Sequence, residues 1–208
     1  MKPILFITTA VISYLIASIN SSIILSNAIF RKDIRTCGSG NPGFTNFKRN
    51  FGNKVALVVL FIDIFKAAIP VAASSYFFEL YLGQWQFGAA YAGLFCMLGN
   101  GFPVWYKFKG GKGYLTYMGL MLFVDWRAWL AAVAVLGIVL FFTKYMSLSS
   151  MSSTVAGVAT LFIVRADLYA SIICTAITVF IIVRHKANIQ RLIKGTESKF
   201  YFSKKKMK

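Results

Sequence analysis

"VALVVLFIDIFKAAIPVAASSYFF", residues 55–78, decides the fold. It is 24 residues long and carries only two charges, Asp63 and Lys66. A bilayer-crossing helix needs about 20 mostly apolar residues, so the stretch is read as one. Asp63 and Lys66 lie three positions apart and share a helical face. Asp63 lies about 14 Å along the axis from Lys54, near mid-bilayer, where an ionisable side chain faces the protein interior. An i,i+3 pair that neutralises itself is the reading taken, with the positioning of a cytoplasmic loop as its second possible role.

Six further apolar stretches, 3–30, 87–107, 114–124, 128–143, 147–164 and 168–183, extend the pattern over a chain of 208 residues that is 58% hydrophobic. The expected fold is all-α: a polytopic membrane protein of about seven transmembrane helices, some short or interrupted, forming one domain over 1–208. The 114–124 stretch has 11 residues and is expected to dip into the protein rather than cross cleanly. The first stretch opens with a single lysine and stays apolar to Phe30, past any plausible cleavage point, so it reads as a retained helix and not a signal peptide.

The 23 Lys and Arg against six Asp and Glu could suggest nucleic acid, but here the cations flank apolar runs instead of gathering on a soluble face. Six fall in 31–54, three in 107–112, one is Lys144 and nine follow from Arg184, nineteen on one side of the membrane. Lys2, Arg127 and Arg165 are the only ones on the other. Basic loops stay in the cytoplasm, so the amino terminus is expected outside and the carboxyl terminus inside, in the inner membrane of a bacterial cell. The terminal "FYFSKKKMK" reads as an electrostatic anchor to anionic lipid. Cys37, Cys96 and Cys174 are too scattered for a disulfide framework or metal site, and His185 is the single histidine, so neither a metal nor a cofactor is expected.

Three polar segments fall on the basic side, within 31–54, 107–113 and 184–208. In "GSGNPGFTNFKRNFG" (38–52), Gly38, Gly40 and Gly43 let the backbone approach a ligand. Ser39, Asn41, Thr45 and Asn46 add short polar side chains, and Lys48 and Arg49 add charge. Successive N–H groups in such a loop can form an anion-binding concavity; the same string also fits a flexible surface loop. In "KGGKG" (109–113), Lys109 and Lys112 are set among Gly110, Gly111 and Gly113 where the chain re-enters the membrane. A helix beginning at Tyr114 would point its unpaired N–H groups and positive dipole end at that loop, a phosphate site; an interfacial turn with snorkelling lysines fits as well. The nucleotide pattern G-x-x-x-x-G-K-[ST] is absent. "RHKANIQRLIKGTE" (184–197) reads as a helix along the membrane surface with His185 and Asn188 on one face, and a lone interfacial His is the plainer reading of His185.

Taken together these segments resemble the bacterial membrane acyl-phosphate:glycerol-3-phosphate acyltransferases. Three ordered motifs carry the resemblance, with support from "IDIFKA" (62–67), "FPVWYKFKGGKG" (102–113) and "YMSLSSM" (145–151). The family resemblance implies acyl phosphate and glycerol 3-phosphate as substrates, transfer to the sn-1 hydroxyl, and lysophosphatidic acid and phosphate as products. It also implies operation without a coenzyme A thioester, a metal or a covalent acyl-enzyme, and a soluble enzyme that makes acyl phosphate as a partner. Carried over by residue, Ser39, Asn41 and Gly43 line the first phosphate loop and Arg49 holds glycerol phosphate. Lys112 binds phosphate, His185 and Asn188 orient polar substrate groups, and Ser147 is a further candidate. Ser39, Lys112, His185 and Asn188 form the implied catalytic set. The remaining loop residues, Gly38, Gly40, Thr45, Asn46, Lys109, Gly110, Gly111 and Gly113, complete the phosphate-binding set.

The chain departs from the family pattern at Phe44 and Asn100, and in the bulk of Tyr114, Leu115 and Tyr117. A non-catalytic or substrate-shifted relative is therefore one alternative. A multi-span transporter of an anionic metabolite is another, although no internal repeat is present and the glycine loops sit at the membrane edge, not at its centre.

Overall fold

The computed structural model describes residues 2–201, and every regular element among them is helical. The helices are α1 (Lys2–Ala17), α2 (Ser21–Phe30), α3 (Phe44–Phe51), α4 (Asn53–Leu82), α5 (Trp85–Gly101), α6 (Tyr114–Val124), α7 (Trp126–Thr143), α8 (Met146–Ile163), α9 (Leu168–Arg184) and α10 (Lys186–Ile193). Five spans are long and apolar enough to cross a membrane, with α1 and α2 together forming the first; α9 and α10, bent by 57° at their junction, reach that length and apolarity only when taken as one span. Lysines 204, 205, 206 and 208, read from sequence as a lipid anchor, lie outside the described residues.

The seventh apolar helix, α6, is the buried centre. Tyr117, Leu120, Met121 and Val124 have no exposure, and α6 packs against α4 and α5. At about 1.5 Å per residue its 11 residues rise only about 16 Å. It nonetheless reaches the far end of the bundle, where Gln86 of α5 donates to the Val124 carbonyl at 3.1 Å and accepts from the Asp167 N–H at 2.9 Å. As expected of a stretch too short to cross cleanly, α6 starts deep in the bundle. Gly113, its N-cap, lies beside Met97 and Asn100, about one turn inside the end of α5. Small residues permit this packing. A methyl group at Gly119 would stand 2.5 Å from the Ile64 carbonyl, and one at Gly99 2.3 Å from the Tyr14 carbonyl, the close approach by which helices associate in lipid.

Two local features depart from the sequence reading. The first span is broken at residues 18–20, where the Asn20 side chain caps α2 by accepting from the Ile23 N–H at 3.0 Å. The Ile19 carbonyl exposed at that break accepts from Lys66 Nζ at 2.9 Å. In addition, residues 44–51 form a helix where a loop was expected. Phe47 is fully buried, edge-on to Phe30 and tilted against Phe51, so tertiary packing holds a segment of mixed polarity in helical form.

The six acidic residues sort cleanly. Asp33, Asp125 and Asp167 cap turns or helices through the N–H groups of Arg35, Arg127 and Ala170. Glu79 accepts from the Trp85 N–H in the turn between α4 and α5. Asp63 and Glu197 remain, and both line the same cavity.

Candidate active site

That cavity opens where the three polar segments meet at one end of the bundle. The N-termini of α3, α6 and α8 converge on it: Gly43–Asn46, Gly113–Thr116 and Met146–Ser147 all line it. The first intrahelical hydrogen bonds are accepted by the carbonyls of Gly43, Gly113 and Tyr145, so the amides of 44–46, 114–116 and 146–148 form first turns with no partner one turn back. None of these first turns carries an acidic side chain. Three positive helix ends facing one cavity favour negative charge there.

The side chains reinforce it. Lys112 Nζ donates to Asn188 Oδ1. Asn188 Nδ2 donates to Glu197 Oε1 at 2.7 Å, which also accepts from Ser147 Oγ at 2.7 Å, while Glu197 Oε2 accepts from Arg191 Nε at 2.7 Å. One carboxylate therefore ties together α8, α10 and, through Asn188, the 109–113 loop. Arg49 Nη2 donates to the Ser198 carbonyl at 2.9 Å and Lys48 Nζ to the Tyr201 carbonyl at 2.7 Å. The Phe200 N–H donates to the Lys144 carbonyl at 2.7 Å, and its ring lies under Lys48 Nζ at 3.7 Å. Residues 197–201 thus bridge α3 to the turn between α7 and α8.

Burial lowers the Lys112 ammonium to about 8, against the nearby Glu197 carboxylate, which raises it; Arg191, Arg49 and Arg184 lower it further. Burial, and then the Lys112 charge, lower His185 to about 4. The imidazole is therefore neutral at pH 7. Its Nδ1 faces the Ile181 carbonyl at 2.8 Å, an acceptor only, which places the proton on Nδ1 and leaves Nε2 as the acceptor on the cavity side, 3.4 Å from Ser150 Oγ. For Glu197 burial alone would raise the carboxyl, but hydrogen bonds from Ser147, Asn188 and Arg191 bring it below its ordinary value.

Ser39, Asn41, Gly43, Thr45, Asn46, Arg49, Gly111, Lys112, Gly113, Ser147, His185 and Asn188 all line the cavity. Four expected residues do not. Gly38 and Gly40 adopt φ of +54° and +70° in the turn behind the cavity, and a methyl at Gly38 would lie 2.5 Å from Asn46 Oδ1. Lys109 is exposed. Gly110 is buried against the end of α5, where a methyl would stand 2.1 Å from the Asn100 carbonyl. Asn46 lines the cavity, but its side chain is committed to the loop: it accepts from the Ser39 N–H at 3.1 Å and donates to the Cys37 carbonyl at 2.9 Å.

As site residues, sequence reasoning missed Glu197, Arg191, Ser150, Thr116, Asn100 and Asp63, which add polar groups to the lining. Thr116 Oγ1 is buried without a partner. Asn100 Oδ1 accepts from Lys66 Nζ at 3.0 Å. The bulk of Tyr114 and Tyr117 is directed in part to α8, through Ser153 Oγ at 2.9 Å and the Thr154 carbonyl at 3.2 Å.

Known proteins share this arrangement. The family model described as "Glycerol-3-phosphate acyltransferase" matches residues 7–195. A glycerol-3-phosphate acyltransferase of Bacillus subtilis (strain 168) is 40% identical over 189 residues, 91% of this chain and 94% of that protein. One from Finegoldia magna is 35% identical over 200 residues, 96% and 98% of the two chains. The crystal structure of PlsY (YgiH), an integral membrane glycerol 3-phosphate acyltransferase, in its glycerol 3-phosphate form superposes with a TM-score of 0.88 at 30% identity, covering 94% of this chain and 96% of that one. Its lysophosphatidic acid form gives 0.83 at 31%, covering 94% and 95%. With the family model spanning nearly the whole chain and its three polar motifs gathered around one cavity, this multi-pass membrane protein belongs to the glycerol-3-phosphate acyltransferase family.

Proposed function

We propose that the chain moves a fatty acyl group from acyl phosphate to the sn-1 hydroxyl of glycerol 3-phosphate, giving lysophosphatidic acid and phosphate. The observation that carries this reading is the convergence of three helix N-termini with Lys112, Arg49 and Arg191 on a cavity walled elsewhere by Leu60, Leu115, Leu136 and Met146. Two phosphate groups need the first half and an acyl chain the second. The crystal forms of the related PlsY, with glycerol 3-phosphate and with lysophosphatidic acid, support the acceptor and the product.

In this scheme Arg49, with the amides and polar side chains of Ser39, Asn41 and Thr45, holds the glycerol phosphate. Lys112 and the first turn of α6 hold the donor phosphate, and His185 Nε2 and Asn188 orient the attacking hydroxyl. That oxygen attacks the acyl carbonyl carbon, and the new C–O bond sends an electron pair onto the carbonyl oxygen. Collapse of the oxyanion then expels phosphate. The hydroxyl proton ends on that phosphate, so that acyl phosphate dianion and alcohol give ester and monohydrogen phosphate. At neutral pH Glu197 is a carboxylate occupied by three side-chain donors, His185 lies near 4 and Lys112 is protonated below about 8. None of them suits a general base at pH 7, which favours substrate phosphate as proton acceptor. Positioning and charge stabilisation then supply the rate.

The site faces the cytoplasm of the bacterial inner membrane in this reading, because the nineteen cations assigned to one side are those of the segments that build it. A soluble enzyme that makes acyl phosphate is the implied partner.

Purified protein given palmitoyl phosphate and labelled glycerol 3-phosphate is expected to form lysophosphatidate, with palmitoyl coenzyme A inert. Lys112→Ala is expected to lower kcat/KM by about 10²–10³-fold, the usual scale for removing one group that stabilises charge in the transition state. Wild-type protein silent with acyl phosphates of every chain length would end the proposal.

The pH profile supplies a second check. kcat/KM reports groups of the free enzyme, so an alkaline limb near pH 8 is expected as Lys112 loses its proton. A limb near 6 would belong to the phosphate groups of the substrates. A profile flat from pH 7 to 10 would exclude Lys112 as the controlling cation.

A further inference from the structure

Arg184 is the last residue of α9, and from sequence it counts only as one more basic-side charge. It is not among the residues that line the cavity. Its Nη2 instead donates to the Gly110 carbonyl at 2.9 Å, the Gly111 carbonyl at 3.0 Å and, more distantly, the Gly101 carbonyl at 3.4 Å. Its guanidinium also lies 5.4 Å from the Phe102 ring.

Those contacts fix the loop from one side. From the other, the Gly111 N–H donates to the Asn100 carbonyl at 3.0 Å. Gly110 sits so close to the end of α5 that a methyl would lie 2.1 Å from the Asn100 carbonyl and 2.5 Å from Pro103 Cδ. The loop is therefore held between the C-terminal ends of α5 and α9, with its glycine carbonyls on the guanidinium. Gly113 then turns at φ +89° and opens α6. Carbonyl oxygens and helix C-termini carry partial negative charge, which would repel phosphate if they faced the cavity. The guanidinium both neutralises them and orients the peptide planes that precede Lys112.

We infer that Arg184 is the positioning residue of the phosphate loop, aligning Gly110 and Gly111 so that Lys112 and the amides of α6 meet the substrate phosphate. This rests on the acyltransferase reading. Lys112 faces Glu197 from the chain end, Arg191 from α10, Arg49 from α3, and Arg184 and His185 from the end of α9. Removing the Arg184 charge therefore raises the Lys112 ammonium.

The test compares wild type, Arg184→Ala and Arg184→Lys in the acyl phosphate assay across pH 6–10. Arg184→Ala is expected to lose about 10–100-fold in kcat/KM for glycerol 3-phosphate, within the range for a misplaced catalytic group, and to move its alkaline limb above 8. Arg184→Lys keeps the charge on an arm that can still reach one or two carbonyls. It is expected to recover activity to within about fivefold and to restore the limb. If Arg184→Ala does not fold, Arg184→Lys decides alone: a normal melting temperature with activity in that range supports the inference, and a folded but inactive variant overturns it. Activity of Arg184→Ala within threefold of wild type also overturns it, as does a loss of activity with an unmoved limb and a lowered melting temperature. Absence of product from wild type would sink the acyltransferase reading, whereas an active wild type with an indifferent Arg184→Ala sinks this inference alone.

Discussion

Lys66→Met is expected to destabilise the protein by about 3–5 kcal/mol, the range for removing one member of a buried ion pair. Lys66 Nζ stands 2.9 Å from Asp63 Oδ1, and both side chains are under a tenth exposed. The methionine would leave Asp63 as a buried carboxylate that accepts from Ser21 Oγ at 2.8 Å but has lost its cation. It would also strip the donor from the Ile19 carbonyl at the break between α1 and α2. The double variant Asp63→Asn, Lys66→Met removes both charges, and Ser21 retains a neutral acceptor. It is expected to recover most of the loss, because replacing both members of a buried pair is often close to neutral. Unfolding followed in detergent for wild type, both single variants and the double variant closes the cycle. Additive effects would mean that the two charges do not act as a unit.

The same cycle carries a functional readout. Lys66 Nζ holds Asn100 Oδ1 at 3.0 Å, and the Asn100 carbonyl receives the Gly111 N–H. The buried Asp63–Lys66 pair thus supports the 109–113 loop as well as neutralising itself, joining both readings that the sequence permitted. The double variant should accordingly regain stability without regaining full activity, since nothing then ties Asn100 to α4.

Much of this architecture is written in apolarity. The stretch 55–78 lies inside α4 at Asn53–Leu82, and 114–124 is α6 residue for residue, because lipid makes backbone satisfaction within a helix compulsory. Surface-helix spacing likewise placed His185 and Asn188 together, and both line the cavity. What was hidden depends on contacts distant in sequence. Helix α3 depends on Phe47 packing against Phe30 and Phe51: Phe44, Phe47 and Phe51 do recur at helical spacing, but eight residues are too short a stretch to hold a helix alone without Phe30, which lies before the glycine loop. The break at Ser18–Asn20 makes sense only once Lys66 is seen to take the Ile19 carbonyl. Glu197 was within a quoted motif, but its weight comes from Ser147, fifty residues earlier in the chain, and from a loop earlier still.

Glu197→Gln is therefore a near-isosteric substitution expected to damage the site while preserving its shape. The carboxylate accepts from Ser147 and Asn188 on one oxygen and from Arg191 on the other. A glutamine presents an NH₂ group to one of those two sets of donors, so at least one charge-assisted contact is replaced by a clash of donors. Hydrogen bonds to charged groups contribute about 1.5–3 kcal/mol each, which translates to a fall in kcat/KM of about 10–100-fold if the loss appears in the transition state. The electrostatic consequence has a definite sign. Glu197 raises the Lys112 ammonium, while burial and the arginines lower it. Without the carboxylate the ammonium drops below about 8, its charged fraction at pH 7 shrinks, and the alkaline limb of kcat/KM moves to lower pH. Arg184→Ala should move the same limb the opposite way. Profiles of the two variants on one axis therefore bracket the wild type. An Arg184→Ala and a Glu197→Gln limb that shift in the same direction would show that Lys112 does not set it, whatever the size of the activity losses.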